Sequence, residues 1–423
     1  MTTPAYPLSR TAGTGGSVLV DRCQVCGSRD LQPVLFIGYL PPVNTMSPIG
    51  SRPNEQPAYP AELLRCPSCE LVQLGLIVDP AVIFPPHYAY TSGTTRILRD
   101  NFAQLYDEVM ERYPLAADDL VVDVGSNDGT LLGNFHRHGH RVCGIEPTNA
   151  CRIAQAAGIT TVNAFFSAET AGVVRERHGQ ARIVTACNVF AHMEDVHDVV
   201  RGILSLLGPD GVFISESHYL APLVETLQYD TIYHEHLRYY SLRSLSNLLA
   251  MHGLEVIHAR PIPTHGGSIR VYAARTGTHP VSADVARMLA EEAVALAPER
   301  LRDFKRRVSQ SKLDLLALLK EVRATGARVY GVGAPSRAST LVNYVGLDDS
   351  ILDCVLEIAG SYKIGKYMPG TLIPVLDETR LFEDQPEYAL LLSWHIGEEL
   401  AGKLRRAGYR GKFIVPLPTP RVL

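Results

Sequence analysis

The sequence has no run of about 18 or more uncharged apolar residues, which is the length a helix needs to cross a bilayer, so no membrane span is expected. The opening stretch, MTTPAYPLSRTAGTGGSVLV, lacks a charged segment followed by an apolar one and does not read as a secretory signal. The expected compartment is the cytoplasm. Surplus charge is also missing: 40 Lys and Arg stand against 44 Asp and Glu, a formal net charge of −4. Binding a phosphate backbone calls for an excess of cations, so nucleic acid and anionic membrane surfaces are not expected as partners. Lysine is absent before residue 305; all seven lysines lie in the last third, and the rest of the chain uses only Arg. That shift marks a distinct C-terminal module. At roughly 150 residues per domain, the 423 residues predict about three domains, and 46% hydrophobic residues are enough to pack them.

In a reducing compartment the eight cysteines read as metal ligands, catalysts or core residues before disulfides. Four of them form two C-x-x-C pairs, Cys23/Cys26 in DRCQVCGS and Cys66/Cys69 in LRCPSCEL. Each pair wraps two thiolates around a metal on a tight knuckle, and together they predict one closed tetrahedral zinc site with no open position for chemistry. The gap between the pairs exceeds the usual ribbon spacing, and a redox pair or chance spacing are the alternatives. The Pro- and Gly-rich stretch between them has the composition of an ordered excursion.

LVVDVGSNDGTLL, residues 120–132, predicts a buried strand, a Gly-rich turn and a helix start. Gly125 and Gly129 allow close backbone approach to a ligand at the helix N-terminus. The next strand, RVCGIEP, ends in Glu146 and Pro147, where this geometry places an acid on a ribose hydroxyl pair. The D-x-G-x-N-x-G pattern, with Asp123, Asn127 and Asp128, is similar to motif I of class I S-adenosylmethionine methyltransferases rather than to the nicotinamide fingerprint. Helices and strands alternate as far as GVFISES, predicting a doubly wound parallel α/β sheet. LEVIHARPI and SIRVYAAR predict an antiparallel closing hairpin. Ligands sit beyond the carboxyl ends of such strands, which gathers Asp123, Gly125, Glu146, Asn163 to Phe165 and Asn188 to His192 around one crevice.

Residues 228–242, QYDTIYHEHLRYYSL, concentrate Tyr233, His234, Glu235, His236, Tyr239 and Tyr240. A strand there would put His234 and His236 on one face and Glu235 on the other. A metal site and a satisfied structural cluster are alternatives, but acid/base chemistry suits this set best, because His titrates near the working pH and Tyr or Glu can orient it. Further on, residues 281–326 predict amphipathic helices interrupted at Pro298, and RVYGVGAPSRASTLV repeats the strand, Gly-turn, helix order. Gly333 and Arg337 there are placed to hold a phosphate, with a purely architectural second sheet as the alternative.

Taken with HYAYTSGTT, NVFAHMED, YHEH, THGGSIR, GVGAPSRAST and KYMPGTLIPV, the whole chain resembles the sugar C-methyltransferases that act on nucleotide-linked 4-keto-deoxyhexoses in bacterial antibiotic biosynthesis. The resemblance implies an N-terminal zinc domain over residues 1–86, a methyltransferase domain over 87–280, and helices with a Rossmann-like domain over 281–423. It implies S-adenosylmethionine as methyl donor, structural zinc and a dTDP-linked 4-keto-deoxyhexose as substrate; a monomer is expected. His236 is implied as the base beside the ketone. Tyr233 and Glu235 are implied to position the sugar or relay the proton, His192 to polarise the keto oxygen, with a helix-capping or core histidine as the alternative, and Tyr88 and Tyr90 to close over cofactor and sugar. Asp123, Gly125, Asn127, Asp128, Gly129, Glu146, Pro147, Asn163, Phe165 and Asn188 are expected to hold the donor; His234, Arg270, Gly333, Arg337 and Lys363 are expected on the sugar nucleotide. Two alternatives remain: an added 4-ketoreductase activity, with NADPH on the second Gly turn, and a non-catalytic zinc-containing binding protein.

Overall fold

The computed structural model describes Ser9–Arg10 and residues 16–83 and 91–423. Tyr88 and Tyr90 lie outside the described residues.

Half-buried alternation in QPVLFIGYL and YPAELLR builds an antiparallel sheet from β1 (Gln32–Leu40), β2 (Tyr59–Arg65) and β3 (Val72–Leu74). The central sheet follows. α1 (Arg96–Arg112) precedes β4 (Leu120–Val124), α2 (Thr130–Arg137), β5 (Arg141–Ile145), α3 (Cys151–Ala156) and β6 (Thr161–Val162). Next come α4 (Ala168–His178), β7 (Ala181–Cys187), α5 (Val196–Leu206) and β8 (Leu207–His218). A short strand, β9 (Arg238–Tyr239), and α6 (Leu242–Ala250) lead into the hairpin β10 (Leu254–Ile262) and β11 (Ser268–Arg275).

The seven strands are ordered β10-β11-β8-β7-β4-β5-β6, all parallel except for the antiparallel closing hairpin. Every residue of β4 is buried, as expected of a parallel strand covered on both faces. Neighbouring residues serve opposite cores: Val122, Val184 and Phe213 pack under α4, α5 and α6, while Val121, Ile183 and Ile214 pack under α1 and α2. Strand order reverses between β4 and β7, and the crevice at such a reversal is where ligands bind in these sheets.

The predicted helical bridge forms α7 (Ala283–Ala295) and α8 (Pro298–Ala324). Pro298 begins α8 at a position whose N–H has no helical partner to lose. The second sheet contains β12 (Val329–Val332), β13 (Cys354–Glu357), β14 (Val375–Asp377), β15 (Tyr388–Leu391), β16 (Lys412–Val415) and β17 (Arg421–Val422), in the order β14-β13-β12-β15-β16-β17. α9 (Ser336–Val345) leaves β12.

The N-terminal sheet does not stand apart. Leu35, Leu63 and Leu74 share one apolar core with Leu223, Tyr229 and Tyr239 and with Phe304, Leu341 and Leu390 of the C-terminal third. β9 pairs antiparallel with β3, so the chain leaving the YHEH segment is the fourth strand of the N-terminal sheet. The Pro-rich excursion is ordered as expected: Ile49 N–H donates to Gly365 O (2.9 Å) and Tyr367 N–H to Ser47 O (2.8 Å). No helix among the described residues is long and apolar enough to cross a membrane.

Candidate active site

The turn after β4 has little room. Gly125 has φ +70°, and a Cβ there would lie 2.5 Å from Val189 Cγ1. Its N–H donates to Ile145 O (2.8 Å). Asn127, at φ 50°, donates its N–H to Glu146 Oε2 (3.0 Å), and Thr148, just past Pro147, donates to Glu146 Oε1 (2.8 Å). The Glu146 carboxylate is thus fixed at the carboxyl end of β5. Asn163 Nδ2 donates to Glu146 O (2.9 Å). Asn188 sits at the end of β7 in the left-handed region, φ 58°, with its N–H on Glu216 O. Asp123 lies beneath, accepting from Thr185 Oγ1 (2.6 Å), and burial raises its carboxyl to about 7.

Asp128 is differently occupied. Oδ1 accepts from Thr130 N–H and Oγ1–H, and Oδ2 accepts from Gly93 N–H (2.8 Å). Together with the Ser92 N–H bond to Asn127 Oδ1 (2.9 Å), this fixes the segment that follows Tyr88 and Tyr90 onto the Gly-rich turn. Gly129, φ +77°, makes the left-handed step into α2. Phe165 is 76% exposed, and its carbonyl accepts from Thr170 Oγ1 (2.9 Å) at the start of α4.

Beyond the ends of β7 and β8 lies a group of imidazoles. His236 ends a tight turn, its N–H donating to Tyr233 O (3.0 Å). Its ring centroid lies 4.3 Å from that of Tyr233, 5.0 Å from His192 and 5.6 Å from His218; His218 lies 5.8 Å from His265. His236 Nδ1 is 2.9 Å from Thr231 O. A carbonyl only accepts, so Nδ1 carries the hydrogen and Nε2 the lone pair. Burial lowers His236 to about 3 and His192 to about 4, so both rings are neutral at working pH. Sequence reasoning missed His218 and His265. The signal was there: His218 closes the strand GVFISES, and His265 stands in THGG.

Glu235 points elsewhere, to Asn44 of the Pro-rich excursion, whose Nδ2 donates to Oε1 at 2.7 Å. Burial pushes its carboxyl up to about 7, opposed by the Lys363 cation. Lys363 itself, held down by burial, donates to Ala334 O in the turn after β12. Gly333 opens that turn at φ +84°, where a Cβ would meet Ser393 Oγ at 2.6 Å.

Three expected substrate contacts are corrected. Because residues 233–236 turn instead of forming a strand, His234 and His236 do not share a face. His234 packs edge-on against Tyr59, with Nε2 donating to Pro60 O (3.2 Å). Arg270 has no exposed surface; it pairs with Glu216 (2.7 Å) and Glu108 (2.6 Å) and donates to Asn101 Oδ1 (3.0 Å) inside the sheet. Arg337 is bound bidentate by Asp230, at 2.8 Å for each bond, with the Trp394 ring 4.9 Å from its guanidinium. Its charge is therefore compensated within the protein, and the expected cationic anchor for NADPH on this turn is withdrawn with it.

The thiols of Cys23, Cys26, Cys66 and Cys69 all lie within 4.8 Å of one another. A tetrahedral zinc with bonds of about 2.3 Å needs sulfurs about 3.8 Å apart, and four sulfur donors without a fifth ligand suit a closed structural site. The amides of Val25 and Cys26 point at Cys23 Sγ, and the hydrogen bond from Cys69 favours the Cys23 thiolate. Asn247 of α6 donates to Cys69 O (3.0 Å) and His197 of α5 to Val25 O (2.8 Å), so the knuckles rest directly on the central domain.

The sequence is 36% identical to C-methyltransferase NovU of Streptomyces niveus over 409 residues, 96% of this chain and 97% of that one. The chain belongs to the C-methyltransferase family. Three family descriptions match this C-methyltransferase in turn: a zinc binding domain over residues 23–84, a methyltransferase domain over 96–259, and a C-methyltransferase C-terminal domain over 263–418. Among solved structures, magnesium protoporphyrin IX methyltransferase from Synechocystis PCC 6803 aligns at 14% identity, covering 42% of this chain and 79% of that one with a TM-score of 0.32. An S-adenosylmethionine-dependent methyltransferase from Clostridium acetobutylicum aligns at 11% identity over 44% and 94% of the two chains, TM-score 0.35.

Proposed function

We propose that this C-methyltransferase transfers the methyl group of S-adenosylmethionine to the carbon beside the ketone of a dTDP-linked 4-keto-deoxyhexose, in antibiotic deoxysugar biosynthesis. S-adenosylmethionine supplies an electrophilic sulfonium methyl. The turn at Gly125–Gly129, Glu146 and Asn163 have the geometry to hold it, with Glu146 as the acceptor for the ribose hydroxyls. Forming a carbon–carbon bond needs a carbanion equivalent, and only the hydrogen beside a ketone is acidic enough to remove.

The observation that carries the reading is the His236 tautomer: Nδ1–H is engaged by Thr231 O at 2.9 Å, leaving the Nε2 lone pair as a base. Its low proton affinity keeps the ring unprotonated until the enolate forms. His192 and Tyr233, beside His236, are the groups to stabilise the enolate oxygen and orient the sugar. Glu235 and Lys363 form a second polar edge, where the sugar hydroxyls bind.

The test is product analysis by mass spectrometry and NMR, using a panel of dTDP-4-keto-deoxyhexoses with S-adenosylmethionine. A product 14 mass units heavier, methylated on the carbon next to the ketone, is expected from the mass of one CH2. Methylation on oxygen or nitrogen, or none with any keto sugar, would refute the reading.

A further inference from the structure

We propose that His218 and His265 form a relay that carries the proton taken by His236 out of the crevice; both act as positioning residues behind the base. The inference rests on the reading of His236 as that base.

Each turnover leaves one proton over. The C–H bond beside the ketone breaks, its electron pair becomes the enolate, and the proton goes to His236 Nε2. The enolate pair then forms the new C–C bond while the S–CH3 bond breaks toward sulfur, giving neutral S-adenosylhomocysteine. The proton remains on a ring that is 9% exposed. It has no way out through Nδ1, because that nitrogen faces the carbonyl of Thr231, which does not take up a proton.

His218, at the end of β8, stands 5.6 Å from His236 by ring centroids, within reach of one bridging water. Its Nδ1 is buried and has no protein hydrogen-bond partner among the described residues, which leaves it open to such a water. His265 follows at 5.8 Å and is only partly covered. It has φ 55° and ψ 21°, a conformation costly for a residue with a Cβ. The backbone around it is fixed by close packing: a Cβ on Gly266 would meet Gln228 Oε1 at 2.6 Å, and one on Gly267 would meet Pro222 Cβ at 2.8 Å. In this conformation the imidazole lies tilted by 32° to the ring of His218. His395, whose Nδ1 also lacks a partner, and Arg337 border the far end.

The experiment separates proton removal from proton escape, using the full-length protein in D2O with a dTDP-4-keto-deoxyhexose. With S-adenosylhomocysteine bound, the wild type exchanges the hydrogen beside the ketone for deuterium. With S-adenosylmethionine bound, a single turnover reports methyl transfer. In His218→Asn the abstracted proton is trapped and returned, so exchange should fall about tenfold or more while single-turnover transfer falls less than about threefold. His265→Asn keeps the left-handed backbone, which Asn tolerates, and should show the same split; it carries the test if His218→Asn does not fold. Equal losses of exchange and transfer, or no loss of exchange, in the folded variants overturn the relay. A wild type that neither exchanges nor methylates any keto sugar overturns the reading of His236 as well.

Discussion

Asp230 and Arg337 form a buried bidentate ion pair that joins the central region to α9, with both bonds at 2.8 Å and Trp394 Nε1–H donating to the same carboxylate at 2.7 Å. Arg337 also approaches His265 O (3.4 Å) and Gln228 Oε1 (3.4 Å), so the pair braces the loop beside the imidazoles. Arg337→Met leaves the Asp230 charge buried with one N–H donor. We expect it to lower unfolding free energy by about 3–5 kcal/mol, with much of the loss recovered when Asp230→Asn removes the orphaned charge. Denaturant titration of both single variants and the double variant checks this; an Arg337→Met midpoint close to wild type contradicts it.

The zinc knuckles and the active turn are linked through backbone. Cys69 lies three residues before β3, β3 pairs with β9, and Leu74 N–H donates to Leu237 O (3.0 Å), next to His236. Cys66→Ser should therefore lose metal, lower the melting temperature by roughly 10 °C or more and remove methyl transfer. Metal content, thermal melting and activity are the measurements. An active, metal-free protein of wild-type stability would refute the structural role of the site.

Glu235 carries a pH signature. Its carboxyl is raised from 4.5 to about 7, first by burial, so the folded state holds the proton more tightly than the unfolded chain. The contribution is stabilising below 4.5 and is lost as pH rises toward 7. Glu235→Gln should therefore gain stability relative to wild type across this window and keep a constant advantage above it. Lys363 works against burial, so Lys363→Met should move the window to higher pH. Melting curves from pH 4 to 9 test both shifts; a pH-independent difference between Glu235→Gln and wild type contradicts them.

The central sheet was legible because its signals are local. LVVDV reads as a buried strand and forms one, and Gly125 and Gly129 take the left-handed conformations that their turn demands. The closing hairpin and the paired cysteines were readable for the same reason. The polar partners were not. Arg270 and Arg337 look like ligand-binding cations in sequence, but each is neutralised by carboxylates far along the chain, Glu216 and Asp230, and no periodicity reports such a pairing. His234 was misplaced because alternation assumes an extended strand, while the hydrogen bond from His236 N–H to Tyr233 O bends the segment. The imidazole group depends on four segments meeting, since His192, His218, His236 and His265 come from separate loops and strand ends.

The most direct test of the account is deuterium exchange and methylation by His236→Asn. With a dTDP-4-keto-deoxyhexose in D2O, wild type should incorporate deuterium beside the ketone and, given S-adenosylmethionine, a methyl group at the same carbon. His236→Asn should bind S-adenosylmethionine with unchanged affinity while both reactions fall on the order of 10²–10⁴-fold. Exchange and methylation at wild-type rates in that variant would contradict the assignment of the base.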